Sequence, residues 1–321
     1  MTSDQHMGEP GAGGTGRWLN GIVPPVCTPL DADGEVDNAS LERHIGFLLE
    51  AGVHGLFMLG SSSEVAYLTD AQRDRVLEVA VKTTGGQVPV LAGAIDMTTN
   101  RVIDRALHAK DRGADAIVAT APFFARSAHP AEVKLHFRTV RERVDLPLVA
   151  YDLPISVHNK LELPVVVELA AEGTLDGIKD SSNDIHGFRA VVTCTRQFEK
   201  FSVFTGSELI VDCALFLGAE GAVPGLANVA PHEYVALYES SRSGDWETAR
   251  EIQARLVRLF DITACADPAK KGASSAGLGG FKTALMLRGV IAGNNMALPQ
   301  IPLDDGEIGA VKAVLVREGI L

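Results

Sequence analysis

About eight short apolar runs recur from Gly21 onward, each followed by an amphipathic helical stretch, and that alternation leaves few folds open. The runs occupy residues 22–27, 55–59, 88–92, 116–120, 148–151, 176–179, 202–205 and 221–223. Runs this continuously apolar suit strands covered on both faces, as in a parallel sheet wrapped by helices. Helical spacing appears between them, for example at Leu41, Ile45, Leu48 and Leu49 and at Val76, Val79 and Ala80. Glycines at Ala51-Gly52 and Arg112-Gly113 stand where a left-handed cap would end a helix. A doubly wound dinucleotide fold would need a glycine-rich turn after the first run, and Pro24-Pro25-Val26-Cys27-Thr28-Pro29 does not supply one.

The expected fold class is therefore α/β, a (β/α)8 TIM barrel with a C-terminal helical extension. The expected boundaries are a disordered N-terminal tail over 1–17, the barrel over 18–243 and the extension over 244–321. Helices are expected around 232–241, 245–263, 281–292 and 304–317. The stretch 267–280, rich in Gly, Ser and Lys, reads as a loop.

A chain of 321 residues, 46% hydrophobic, can bury a large core. Its formal net charge of -12 argues against nucleic acid or an anionic membrane surface as partners, because both need clustered Lys and Arg. Cys27, Cys194, Cys213 and Cys265 lie far apart, with no spacing suited to zinc, and read as free thiols. Residues 1–16 lack an apolar leader core and no later run reaches the ~20 residues of a membrane span. A cytoplasmic protein is expected.

In such a barrel the chemistry sits where strands end, so the polar residues closing the apolar runs are the candidates. The second run ends in Gly60-Ser61-Ser62-Ser63-Glu64, the fifth in Tyr151-Asp152, the sixth in Lys179-Asp180-Ser181-Ser182 and the eighth in Pro224-Gly225. A lysine at a barrel mouth is either a structural partner of Asp152 or Asp180, or an amine held for attack on a ketone. Tyr151 would lie across a neighbouring strand from Lys179, where a phenol can pass protons or can simply pack. Ser61 and Ser62 offer hydroxyls and exposed N–H groups in a tight turn, suited to a carboxylate or to nothing more than the turn itself. No run end gathers His or carboxylates in a pattern for a divalent metal.

These segments together resemble one family. Gly60-Ser61-Ser62-Ser63-Glu64 is similar to a Gly-Thr-Thr-Gly-Glu motif, Tyr151-Asp152-Leu153-Pro154 to Tyr-Asn-x-Pro, and Gly177-Ile178-Lys179-Asp180-Ser181-Ser182 to the Schiff-base strand of the dihydrodipicolinate synthase and N-acetylneuraminate lyase family. The match runs in order from about Gly21 to Leu321. The resemblance implies a homotetrameric lyase in which Lys179 forms an imine with pyruvate or another 2-keto acid. Tyr151 would relay protons with Ser61 as its hydroxyl partner, and Ser62 with the turn amides would hold the carboxylate. Val223, in Gly221-Ala222-Val223-Pro224-Gly225, would stand near the site. No metal or organic cofactor is implied.

Two departures bear on the substrate. Synthases that condense pyruvate with aspartate semialdehyde carry a second relay Tyr where this chain has Phe124, and an Arg five residues after the relay Tyr where it has Ser156. A Phe cannot pass a proton and a Ser cannot hold a carboxylate bidentately. Phe124, Ser156 and Arg126 are accordingly expected beside the substrate in altered roles. Arg126 would meet a distal carboxylate or hydroxyls, or remain a solvated loop residue, and His158 stands similarly between polyol contact and surface. The expected activity is cleavage or formation of a C–C bond between pyruvate and an aldehyde, the substrate being a 2-keto-3-deoxy sugar acid or a 4-hydroxy-2-keto acid. The alternatives are a dehydratase using the same imine, dihydrodipicolinate synthase itself, and a non-catalytic keto-acid-binding homologue.

Overall fold

The computed structural model describes residues 17–125 and 129–321. Eight strands alternate with helices: β1 (Gly21–Ile22), β2 (Leu56–Met58), β3 (Val90–Gly93), β4 (Ala116–Thr120), β5 (Leu148–Asp152), β6 (Gly177–Asp180), β7 (Ser202–Thr205) and β8 (Gly221–Ala222). Neighbours are parallel in the order β1-β8-β7-β6-β5-β4-β3-β2. The sheet curls back on itself through a parallel bridge between Pro25 and Phe57, giving the (β/α)8 arrangement. β1 is shorter than its apolar run because Pro24 and Pro25 have no N–H to donate. The contact with β2 passes instead through the Pro24 carbonyl, which accepts from Phe57 N–H at 2.9 Å, and through Val26 N–H, which donates to Phe57 at 2.9 Å.

Strand alternation sorts the side chains into two shells. Val23, Phe57, Leu91, Val118, Val149 and Phe204 fill the barrel interior. Met58, Ile117, Ala150, Ile178 and Val203 face outward against helical residues such as Leu41, Val76, Phe137 and Leu169. The same alternation sends Tyr151 and Lys179 inward and turns Asp152 and Asp180 toward the helices. Local capping supports the helices: Asp37 accepts from Ser40 N–H at 3.0 Å, and Thr69 with Gln72 forms a capping box.

After β8 come helices Pro231–Ser243, Trp246–Leu259, Ala273–Leu287 and Asp305–Arg317, with a 3-10 turn at Phe260–Ala264. Leu237, Leu256, Ile262, Leu285 and Val311 share one apolar cluster with Ile22 of β1 and Ala222 of β8. One expectation fails here. Residues 273–280 are not a loop but the first half of helix Ala273–Leu287. The glycines serve close packing: a Cβ on Gly280 would stand 2.4 Å from the Ile262 carbonyl oxygen, and one on Gly279 3.2 Å from Leu303. Among the described residues no helix is long and apolar enough to cross a membrane.

Candidate active site

β5 and β6 place Tyr151 directly opposite Lys179 in register, and β7 places Phe204 on the other side of Lys179. Lys179 is only 4% exposed and Tyr151 2%. Lys179 Nζ stands 4.2 Å from the centroid of the Tyr151 ring and 4.9 Å from that of Phe57. These two rings meet edge to face, their centroids 6.0 Å apart. Lys179 is not a structural partner of either neighbouring aspartate. Asp152 and Asp180 both pair with Lys160 on the outer face of the sheet. Among the described residues no carboxylate lies within ion-pairing distance of Lys179. An amine so placed is shielded from water by aromatic faces, with no ion-pair partner among the described residues.

The tight turn after β2 is built to present Ser61. Ser63 Oγ donates to the Val26 carbonyl at 2.5 Å and accepts from Gly60 N–H at 3.2 Å, while Thr28 Oγ1 donates to the Ser63 carbonyl at 3.0 Å. Glu64 closes the turn in the left-handed region at φ 60°, a conformation that persists only where surroundings enforce it. Enforcement comes from the C-terminal segment: Glu64 forms a buried ion pair with Lys282 of helix Ala273–Leu287 and accepts from Ala297 N–H, in the loop beyond that helix, at 2.7 Å. Ser61 Oγ then lies 3.0 Å from Tyr151 Oη. Among the described residues neither the Ser61 nor the Ser62 N–H has a backbone partner, so both remain available to an anion.

A cavity of about 220 Å³ opens at these strand ends, lined by Ser61, Ser62, Tyr151, Lys179 and Val223 together with Glu208. A second hollow, of about 400 Å³, shares Ser61, Ser62 and Glu208 with it and extends to Thr263, Ser274 and Phe281 of the C-terminal helices. A larger hollow of about 560 Å³ lies at the opposite end of the barrel beside Arg17, Asn20 and Glu220, where strands begin and barrel chemistry is not found.

Two expected site residues, Ser156 and Phe124, do not line the cavity. Ser156 sits in the one-turn helix Pro154–Val157 and faces solvent, because Pro154 starts a turn that carries Ile155 over the cavity instead. Phe124 is 89% exposed on the loop after β4, at φ 79°. Arg126 lies outside the described residues. His158, in the left-handed region at φ 54°, is exposed and does not line the cavity.

Glu208 and Gly206 were not among the expected site residues, and Ser181, named at the end of the sixth run, had no role assigned. Burial pushes the Glu208 carboxyl above its ordinary range, against the Gly225 N–H that donates to it at 2.9 Å and the nearby charge of Lys179. Gly206 permits the close approach of β6 and β7, since a Cβ there would lie 2.0 Å from Ser181 Oγ and 2.9 Å from Lys179 Cε. The signal was present: the seventh run ends in Thr205-Gly206-Ser207-Glu208, a polar strand end like the others.

Comparison with known proteins places this geometry. Residues 18–317 match the model of the dihydrodipicolinate synthetase family. An uncharacterized DapA-like lyase of Halobacterium salinarum is 37% identical over 98% of this chain and 99% of its own length. A 4-hydroxy-tetrahydrodipicolinate synthase of Methanoculleus marisnigri is 33% identical over 94% of this chain and 100% of its own. Among solved structures, YagE of E. coli K12, a prophage protein of the dihydrodipicolinic acid synthase family determined in complex with pyruvate, superimposes with a TM-score of 0.88 at 28% identity, covering 95% of this chain and 100% of that one.

Proposed function

Since the chain belongs to the dihydrodipicolinate synthetase family and is a lyase of that class, we propose that it is a Schiff-base aldolase cleaving a 2-keto-3-deoxy sugar acid to pyruvate and an aldehyde. The observation that carries this reading is Lys179 Nζ, buried, without a carboxylate partner, above the Tyr151 ring. Its lone pair attacks the C2 carbonyl of the keto acid, and loss of water from the carbinolamine leaves an iminium. The C3–C4 bond then breaks, its electron pair moving toward the iminium nitrogen as an enamine, while the C4 hydroxyl gives up its proton and becomes the aldehyde carbonyl. Protonation of the enamine at C3 and hydrolysis release pyruvate and restore the amine. Tyr151, hydrogen-bonded to Ser61, moves the protons. The Ser61 and Ser62 amides with the Ser62 hydroxyl hold the carboxylate of the keto acid.

The second hollow supports a sugar acid over a dicarboxylic keto acid. Its lining, Ser61, Ser62, Thr263, Ser274, Glu208 and apolar side chains, includes no Lys, Arg or His among the described residues. A distal carboxylate there would be desolvated without a cation, whereas hydroxyls find donors and acceptors. Residues 244–321 we assign to an extension that braces the turn bearing Ser61. Steady-state assays of pyruvate release from a panel of 2-keto-3-deoxy sugar acids, set beside condensation of pyruvate with aspartate semialdehyde, test the assignment. Turnover of a sugar acid with negligible condensation is expected. Efficient condensation would overturn it and give the Phe124 and Ser156 positions a role that neither side chain can fill alone.

A further inference from the structure

Behind the paired catalytic strands lies a second arrangement that the proposed chemistry does not use. One residue beyond Tyr151 and Lys179, Asp152 and Asp180 are register partners on the outward face, and both are buried. Two adjacent buried carboxylates repel unless a cation stands between them. Lys160 is that cation: its Nζ pairs with Asp152 Oδ2 and stands 3.6 Å from Asp180 Oδ2. Burial works against its charge, but the hydrogen bond to Asp152 and the field of Asp180 and Asp184 outweigh it and raise it above the ordinary lysine range. Asp152 also accepts from Leu161 N–H at 3.1 Å. Its side chain thus ties the last residue of β5 to Lys160 and Leu161 at the far end of the loop that follows, and this is the loop that carries Leu153 and Ile155 onto the cavity. On β6, Asp180 Oδ1 accepts from Ser182 N–H at 2.8 Å and so shapes the turn that presents Ser181 to the cavity.

We infer that Lys160 is a positioning residue, an ionic clasp that fixes the mouths of β5 and β6 against each other and thereby holds Tyr151 over Lys179. The inference rests on the imine reading of Lys179 for its assay. Nothing in the clasp touches the cavity, so its effect passes through the two strands and the loop between residues 152 and 161. A misplacement of the relay relative to the amine slows proton transfer far more than it weakens binding of a small keto acid.

Exchange of the pyruvate methyl protons for deuterium, followed by nuclear magnetic resonance, reads imine and enamine formation without knowledge of the aldehyde. Lys160→Met is expected to keep the wild-type circular dichroism, to lower kcat for exchange by about 10-fold or more, and to change KM for pyruvate less. Lys160→Arg should restore most of the rate. Lys160→Met/Asp180→Asn, which removes the repulsion left behind, should exchange faster than Lys160→Met alone. A Lys160→Met protein with wild-type kcat, or a double variant no faster than the single, overturns the clasp. If Lys160→Met does not fold, Asp152→Asn serves in its place, with lowered kcat expected and wild-type kcat overturning the inference. Wild-type protein that fails to exchange pyruvate at all would instead overturn the reading of Lys179 itself, and the clasp with it.

Discussion

Tyr151 and Ser61 form a hydroxyl pair beside the amine, their oxygens 3.0 Å apart. Removing the phenolic oxygen in Tyr151→Phe keeps the ring that packs against Phe57 and Lys179 and deletes only the hydroxyl that meets Ser61, the relay in the proposed mechanism. Turnover should fall by about 10²-fold or more, the scale of general acid-base catalysis, with the thermal midpoint nearly unchanged. Steady-state rates beside a melting curve decide it, and near-normal turnover would return Tyr151 to a packing role. At this scale the sequence was legible wherever a reactive side chain closed an apolar run, as Lys179, Tyr151 and Ser61 do. Glu208 was less visible because it lies three residues beyond the end of β7, in a 3-10 turn whose direction no periodicity reveals. Ser156 lies away from the cavity for a related reason: its distance along the chain from Tyr151 is fixed, but Pro154 sets a turn that points it to solvent.

Elements rather than residues decide whether the Ser61 turn keeps its shape. Helix Ala273–Leu287 delivers Lys282 to Glu64 in a pair where both side chains are no more than 1% exposed. Lys282 Nζ also donates to the Asn295 carbonyl at 2.7 Å. Lys282→Met leaves the Glu64 carboxylate buried without its cation, and such losses cost about 3–5 kcal/mol. Denaturant unfolding should show that loss, and adding Glu64→Gln should recover part of it, since the uncompensated charge is then gone. A single variant as stable as wild type would contradict the bracing role. That helix was the least legible element in the sequence: Gly277, Gly279 and Gly280 carry low helix propensity, yet close contact with Leu303 and Ile262 demands the missing side chains of Gly279 and Gly280. The eight strands, by contrast, were found within a few residues, because burial on both faces leaves no polar alternation to confuse the pattern.

At the scale of the whole molecule, His44 and His136, both buried, bear on how folding responds to acid. Burial holds the His44 and His136 imidazoles down to about 4 from an ordinary value of 6.5. Below 6.5 the unfolded chain takes up protons that the folded chain cannot, so stability falls as pH drops from 6.5 toward 4. Each shift corresponds to about 3 kcal/mol at its full extent, against a typical total of 5–15 kcal/mol. Unfolding midpoints should therefore drop steeply over that window, and replacing His44 by an uncharged residue of similar size should flatten the slope. A midpoint constant between pH 6.5 and 4 would contradict the burial of both rings. The barrel itself was legible at this scale because alternation of strand and helix is a property of the entire chain, whereas the substrate is decided by a few side chains around a hollow.

The central claim is that Lys179 is a nucleophile, and reductive trapping tests it most directly. Wild-type protein incubated with saturating pyruvate and borohydride should gain the mass of one reduced pyruvate, located by peptide mapping on Lys179, and Lys179→Ala should gain none. A wild-type chain left unmodified, or an adduct that survives in Lys179→Ala, would contradict the account.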